Sequence, residues 1–274
     1  KRLLHLTLLL TLAMHVLADT WAHRNFAGTP SLVINNIGYH FYEMIPEGDS
    51  FAERRIAFKH SPSAKDDIEN GIYSASIYQV SENSIMNLGH GRAGHLPDYS
   101  FIRYKYLPAW AGYQEYFKDN QSDYYHAFCQ MVYALKYLHG DIAEFEKDKY
   151  AWDEVSGYEQ EIKAILARRQ IIACEDWKAF GEKLSGKTIP DIDKDRYNKE
   201  YIHAERGTRD KTFIGKFILA ALAQKSMVTN KIYQSGNNLA GISVDYSEKG
   251  FKGISAFRKL VRRKQEEEKE EETA

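Results

Sequence analysis

Residues 12–28 read LAMHVLADTWAHRNFAG, and the spacing inside them decides how the chain is read. His15, Asp19 and His23 stand at i, i+4 and i+8. On an α-helix each step of four turns a side chain by about 400°, so the three share one stripe over two turns. Upstream, residues 3–13 are apolar nearly all round, as in a central core helix. A helix is predicted from residue 3 to about residue 24, ended by Gly28, Thr29 and Pro30. The same stretch also fits a secretory signal, with Lys1-Arg2, an apolar run and Val16-Leu17-Ala18 before Asp19. Composition alone leaves both readings open, although a cut there would remove His15 from the stripe. Lys1 stands where an initiator methionine would, which suggests a processed, engineered or partial chain. His5 and His15 interrupt the apolar run, and no transmembrane span is expected.

Two imidazoles and a carboxylate on a rigid stripe are what a divalent ion such as zinc needs. Burying such groups without coordination or pairing is unfavourable. A hydrogen-bonded structural triad is the plainer alternative. A second cluster, NLGHGRAGHLPD at residues 87–98, holds His90, His95 and Asp98. Its glycines let side chains crowd one point, and Pro97 stiffens the turn. Together the clusters offer four histidines and two aspartates, enough for more than one metal. Arg92 could clamp a phosphate, and Asn25 could support a ligand.

Lys and Arg number 37 against 38 Asp and Glu, which argues against a general polyanion binder. A content of 43% hydrophobic residues with six prolines describes a globular chain with a sizeable core. Cys129 and Cys174 are too few for a disulfide scaffold and read as core residues. No P-loop, G-x-G-x-x-G, G-x-S-x-G or H-E-x-x-H motif is present.

The predicted architecture is mostly α, a multi-helix bundle with a small β or irregular insertion at residues 31–85. Residues 72–80 (IYSASIYQV) alternate as a strand. Helices are expected from Asn120 or Ser122 to Gly140, over 156–172, over 174–184 and over 208–232, with 191–197 as loop. One metal-binding domain over 1–250 is followed by a charged segment, 251–274. There Arg258, Lys259, Arg262, Arg263 and Lys264 precede six glutamates, as in a fraying helix end.

The segments ADTWAH-x-x-F-x-G and GH-x-x-AGH-x-PD closely resemble an uncharacterised bacterial family of unknown function. The first is also similar to the H-x-x-x-D element of the zinc-dependent phospholipase C and single-strand-specific nuclease superfamily. That superfamily comprises all-helical trinuclear-zinc phosphodiesterases. The resemblance implies that His15 and Asp19 are ligands, Asp19 bridging, and that His23 is the following histidine at a shorter spacing. His90, His95 and Asp98 match only the uncharacterised family. No early Trp, His or Asp precedes His15 in the superfamily's arrangement, which leaves those ligands to a preceding segment or another chain.

Two functions follow. One is a zinc hydrolase of phosphodiester bonds in phospholipid or nucleic acid, with one to three ions. In it Asp19 and Asp98 are catalytic, Asp98 as ligand or general base, and Arg92 and Asn25 touch substrate. The other is a non-catalytic interaction or toxin-associated module with a structural or incomplete metal site.

Overall fold

The computed structural model describes residues 2–28, 34–38, 40–59, 65–75 and 90–236. Its elements run α1 (Arg2–Ala22), β1 (Tyr42–Glu47), β2 (Ser50–Arg55), β3 (Ala57–Lys59), α2 (Lys65–Glu69) and β4 (Ile72–Ser74). Then come β5 (Arg103–Tyr106), β6 (Tyr116–Asp119), α3 (Asn120–His139), α4 (Trp152–Ser156), α5 (Glu159–Ala167) and α6 (Cys174–Ser185). The last two are α7 (Lys194–His203) and α8 (Phe213–Gln234).

The expected mostly α bundle is overturned. A four-stranded antiparallel sheet, ordered β2-β1-β5-β6, and a parallel pair, β3-β4, make this a mixed α and β fold. Half of the larger sheet lies outside residues 31–85, so it is no insertion. β5 forms because Tyr104 and Tyr106 alternate with Arg103 and Lys105, burying one face and leaving the other half-exposed. It pairs on both sides, Glu43 opposite Tyr104 in β1 and Lys105 opposite Phe117 in β6.

Two cores result. Phe41, Tyr73, Tyr99, Phe101, Tyr104 and Tyr106 fill the first with rings, and Ala93 and Leu96 plug into it. Phe41 and Tyr106 stack at 5.2 Å. The second gathers Tyr125, Cys129, Val155, Ile162, Leu166 and Phe180 between α3, α4, α5 and α6. Ser100 Oγ joins them by donating to Leu166 O at 3.0 Å. At the edge of the ring core Glu43, only 2% exposed, accepts from Arg54 Nη2 at 2.7 Å and from Arg169 Nη1 at 2.5 Å.

α3 starts at Asn120, and Asp119 rather than Asn120 or Ser122 is its cap, accepting from Ser122 N. It ends at Gly140, φ +95°, as expected. Residues 191–197 are not all loop: Asp193 caps α7 by accepting from Arg196 N. α1 ends at Ala22 and is no central helix. Among residues 6–22 only Ala22 is buried, with one side on α3 and α8. Cys174 is exposed, contrary to expectation, and Cys129 is buried. Residues 76–80 of the expected strand and the whole charged segment 251–274 lie outside the described residues. None of the described helices is long and apolar enough to cross a membrane.

Candidate metal centre

The C-terminal end of α1 is pinned to α3 by polar contacts. Trp21 Nε1 donates to Gln130 Oε1 at 2.7 Å. Arg24 Nη2 sits 2.7 Å from Asp123 Oδ1, and its guanidinium lies over the Trp21 ring. Lys118, 1% exposed, donates to Asp123 Oδ2 and, at 3.4 Å, to Trp21 O. Burial pulls the Lys118 ammonium below its usual range, against the raising effect of its bond to Asp123. Removing Asp123 would leave the buried Lys118 ammonium without its carboxylate, so the pair fixes the helix end. His23, immediately after α1, keeps the helical bond from its N to Asp19 O at 2.9 Å.

Residues 90–98 form two short 3-10 turns, Gly91–Ala93 and Leu96–Asp98. Gly94 between them has φ +54°, and a Cβ there would lie 2.5 Å from Ser74 O and 2.9 Å from the Phe58 ring. Only glycine fits. The same Ser74 O accepts from His95 N at 3.0 Å, docking the loop on β4. From below, the fully buried Asn120 donates from Nδ2 to Leu96 O at 2.9 Å and to Tyr99 O at 2.8 Å. Tyr124 OH donates to Pro97 O at 3.0 Å. Asp98 is thus held by α3, the helix that also holds α1.

The two ends meet. His23 Nε2 lies 3.0 Å from Asp98 Oδ1, and His95 Nδ1 lies 2.8 Å from Asp98 Oδ2. The His90 ring is 4.3 Å from that of His23 and 6.1 Å from that of His95. His23, His90 and Asp98 each offer a ligand atom, all within 4.8 Å of one another. His90 Nδ1 is 2.6 Å from Gly94 O. A carbonyl only accepts, so the proton sits on Nδ1 and Nε2 keeps its lone pair. Burial holds His90 below the usual imidazole range, against the raising effect of Asp98. Burial pushes the Asp98 carboxyl up, but His23, His90 and His95 together hold it below the usual carboxylate range. Both groups therefore favour the forms that bind a cation.

The first half of the stripe stays apart. His15 Nε2 is 3.4 Å from Asp19 Oδ2, with the side chains 72% and 44% exposed. They do not join the three-residue cluster. Asp19 still faces this region. With Asp98 it adds to burial in raising the Tyr124 phenol above its ordinary range. Arg92 is half-buried on the first turn. Asn25 Nδ2 is 3.5 Å from Tyr106 OH, at the edge of the ring core. Residues that sequence reasoning missed are Asn120, Tyr124, Gln130 and the Lys118–Asp123 pair. The visible signal for Gln130 is a polar residue among the apolar positions of α3; Asn120 reads in the sequence as a cap, and its amide instead holds the loop.

No curated protein and no solved structure matches the chain. Residues 5–232 match the model of a family described as a family of unknown function, DUF6765, and the chain belongs to that family.

Proposed function

We propose that the chain is a metal-dependent hydrolase, zinc being the ion that suits its donors, acting on phosphodiester bonds. One observation carries this: His23 and Asp98, 75 residues apart, converge with His90 so that three donor atoms lie within 4.8 Å. Two imidazoles and a carboxylate are a zinc-type donor set, and three protein ligands leave a position open. A bound ion there would supply an acidified water and polarise a phosphoryl oxygen. The chain's own residues do the remainder. Gly94 O orients His90, and His95 holds the second oxygen of Asp98, which is placed to ligate or to accept a proton. Arg92, on the same loop, has the fork to pair with a phosphoryl group. Asp19 and His15 offer donors one and two turns back along α1 for a further ion.

The likeness of the H-x-x-x-D element to the zinc phospholipase C and nuclease superfamily supports phosphodiester chemistry, in lipid or nucleic acid. It does not extend to that superfamily's all-helical fold. A second reading, a non-catalytic interaction or toxin-associated module with a structural site, has its own support. Both oxygens of Asp98 are already paired, and His15 and Asp19 stand outside the cluster.

The test is metal content by elemental mass spectrometry after zinc reconstitution, for the wild type, Asp98→Ala and Asp19→Ala. Bis(para-nitrophenyl) phosphate hydrolysis is measured beside it. About one equivalent bound by the wild type, lost in Asp98→Ala and kept in Asp19→Ala, is expected for an ion at His23, His90 and Asp98. A wild type that takes up no zinc sinks the hydrolase reading. Bound zinc without turnover of any phosphodiester favours the structural site.

A further inference from the structure

Asp98 belongs to two features at once. It is a member of the histidine cluster, and it stands on the wall of a cleft of about 400 Å³. Pockets for small ligands span about 300–1,000 Å³, so the cleft has ligand size. Beyond Asp98 its wall is mostly apolar, with Tyr99, Phe128, Met131, Leu166, Ile171 and Trp177. Phe128 and Trp177 stack near-parallel, 14° apart with centroids at 5.8 Å. Three of the polar side chains on the wall are committed within the protein. Ser100 donates to Leu166 O, Tyr124 to Pro97 O, and Gln170 Nε2 to Asp176 Oδ2.

We infer that this cleft holds the apolar group, an alkyl chain or aryl ring, of a small amphiphilic ester whose anionic centre lies at His23, His90 and Asp98. This rests on the metal reading of that cluster and narrows its substrate class. A sugar or a peptide backbone needs many hydrogen-bond partners, and most of this wall is ring and aliphatic surface. An apolar group needs only area, which rings and aliphatic chains provide. Its attachment to an anion explains why the carboxylate of the histidine cluster stands on a largely apolar wall.

The experiment is a calorimetric titration of n-alkylphosphonates, ethyl to octyl, into the zinc-loaded protein. The wild type is compared with Ala173→Phe, which fills the cleft wall at the start of α6, and with Ile171→Asp, which places a charge at an exposed position. Affinity is expected to rise about fourfold per methylene in the wild type. Both variants should flatten that rise while binding ethylphosphonate as the wild type does. Ethylphosphonate binding with no chain-length dependence overturns the cleft assignment and leaves the metal reading standing. A protein that takes up no zinc fails the metal reading, and the cleft is then tested by 1-alkanols on the metal-free chain. Alkanol affinity rising with length and lost in Ala173→Phe supports the cleft; no alkanol binding overturns it. A short single-stranded oligonucleotide that displaces octylphosphonate and is weakened by Ala173→Phe would give the cleft to a base and overturn the alkyl or aryl assignment.

Discussion

The two ends of one histidine stripe differ in what lies opposite them. His23 leaves α1 where α3 and the loop of residues 90–98 close over it, and it meets Asp98 at 3.0 Å. His15, two turns earlier, pairs with Asp19, and its side chain is 72% exposed. Helical period alone puts both histidines on one face. A site forms only where a second segment brings donors to that face, and here a glycine-shaped loop does so at one end.

The strongest way to break this contrast is to exchange the ends. His23→Ala is expected to weaken zinc binding by more than about 100-fold, since a ligand should matter at least as much as an outer-shell partner. His15→Ala should change it by less than about threefold, read by competition with a chromophoric chelator. Equal losses from the two variants would show that the stripe acts as a whole.

A second test removes the support and keeps the ligands. Asn120→Asp preserves shape but withdraws the amide donor from Leu96 O and Tyr99 O. Buried carbonyls without a partner, beside a buried charge, should destabilise the fold by about 1–3 kcal/mol. Zinc affinity should fall about 10–100-fold. Urea unfolding and chelator competition separate the two effects; unchanged affinity would remove α3 from the site's support. Gly94→Ala belongs to the same class, with strain from φ +54° and a Cβ 2.5 Å from Ser74 O. A loss of about 1–3 kcal/mol in urea unfolding is expected.

The pH test is gentler. The pKa of His90 is lowered on folding, so between the usual value of 6.5 and the folded value the unfolded state binds more protons. Stability then rises with pH, and is lost as pH falls from above 6.5 toward the folded value. Urea midpoints for the metal-free protein at pH 7.5 and about pH 5.5 should differ less in His90→Gln than in the wild type. The smallest effect is expected at the exposed end, where His15→Ala should leave stability within about 0.5 kcal/mol.

Much of the centre is legible in the residue spacing. Helical spacing marks His15, Asp19 and His23, and glycine spacing marks His90, His95 and Asp98. Spacing cannot say which members meet, because that depends on α3 drawing together residues 75 apart in sequence. The sheet is harder to read. Tyr104 and Tyr106 alternate with Arg103 and Lys105, but four residues between Ile102 and Leu107 give too short a period to stand against neighbouring helical patterns. α7 buries no residue, so no apolar stripe announces it; its signal is the cap at Asp193.

The buried carboxylate of Glu43 also sets a schedule. Its second guanidinium, on Arg169, is 126 residues further along the chain. At a synthesis rate of about 5–20 residues per second, roughly 6–25 seconds separate their appearance. During that interval β1 carries an acid that has Arg54 but not yet its second guanidinium. The described strands are all made by residue 119, but the acid among them gains its second guanidinium only once the chain has passed α5.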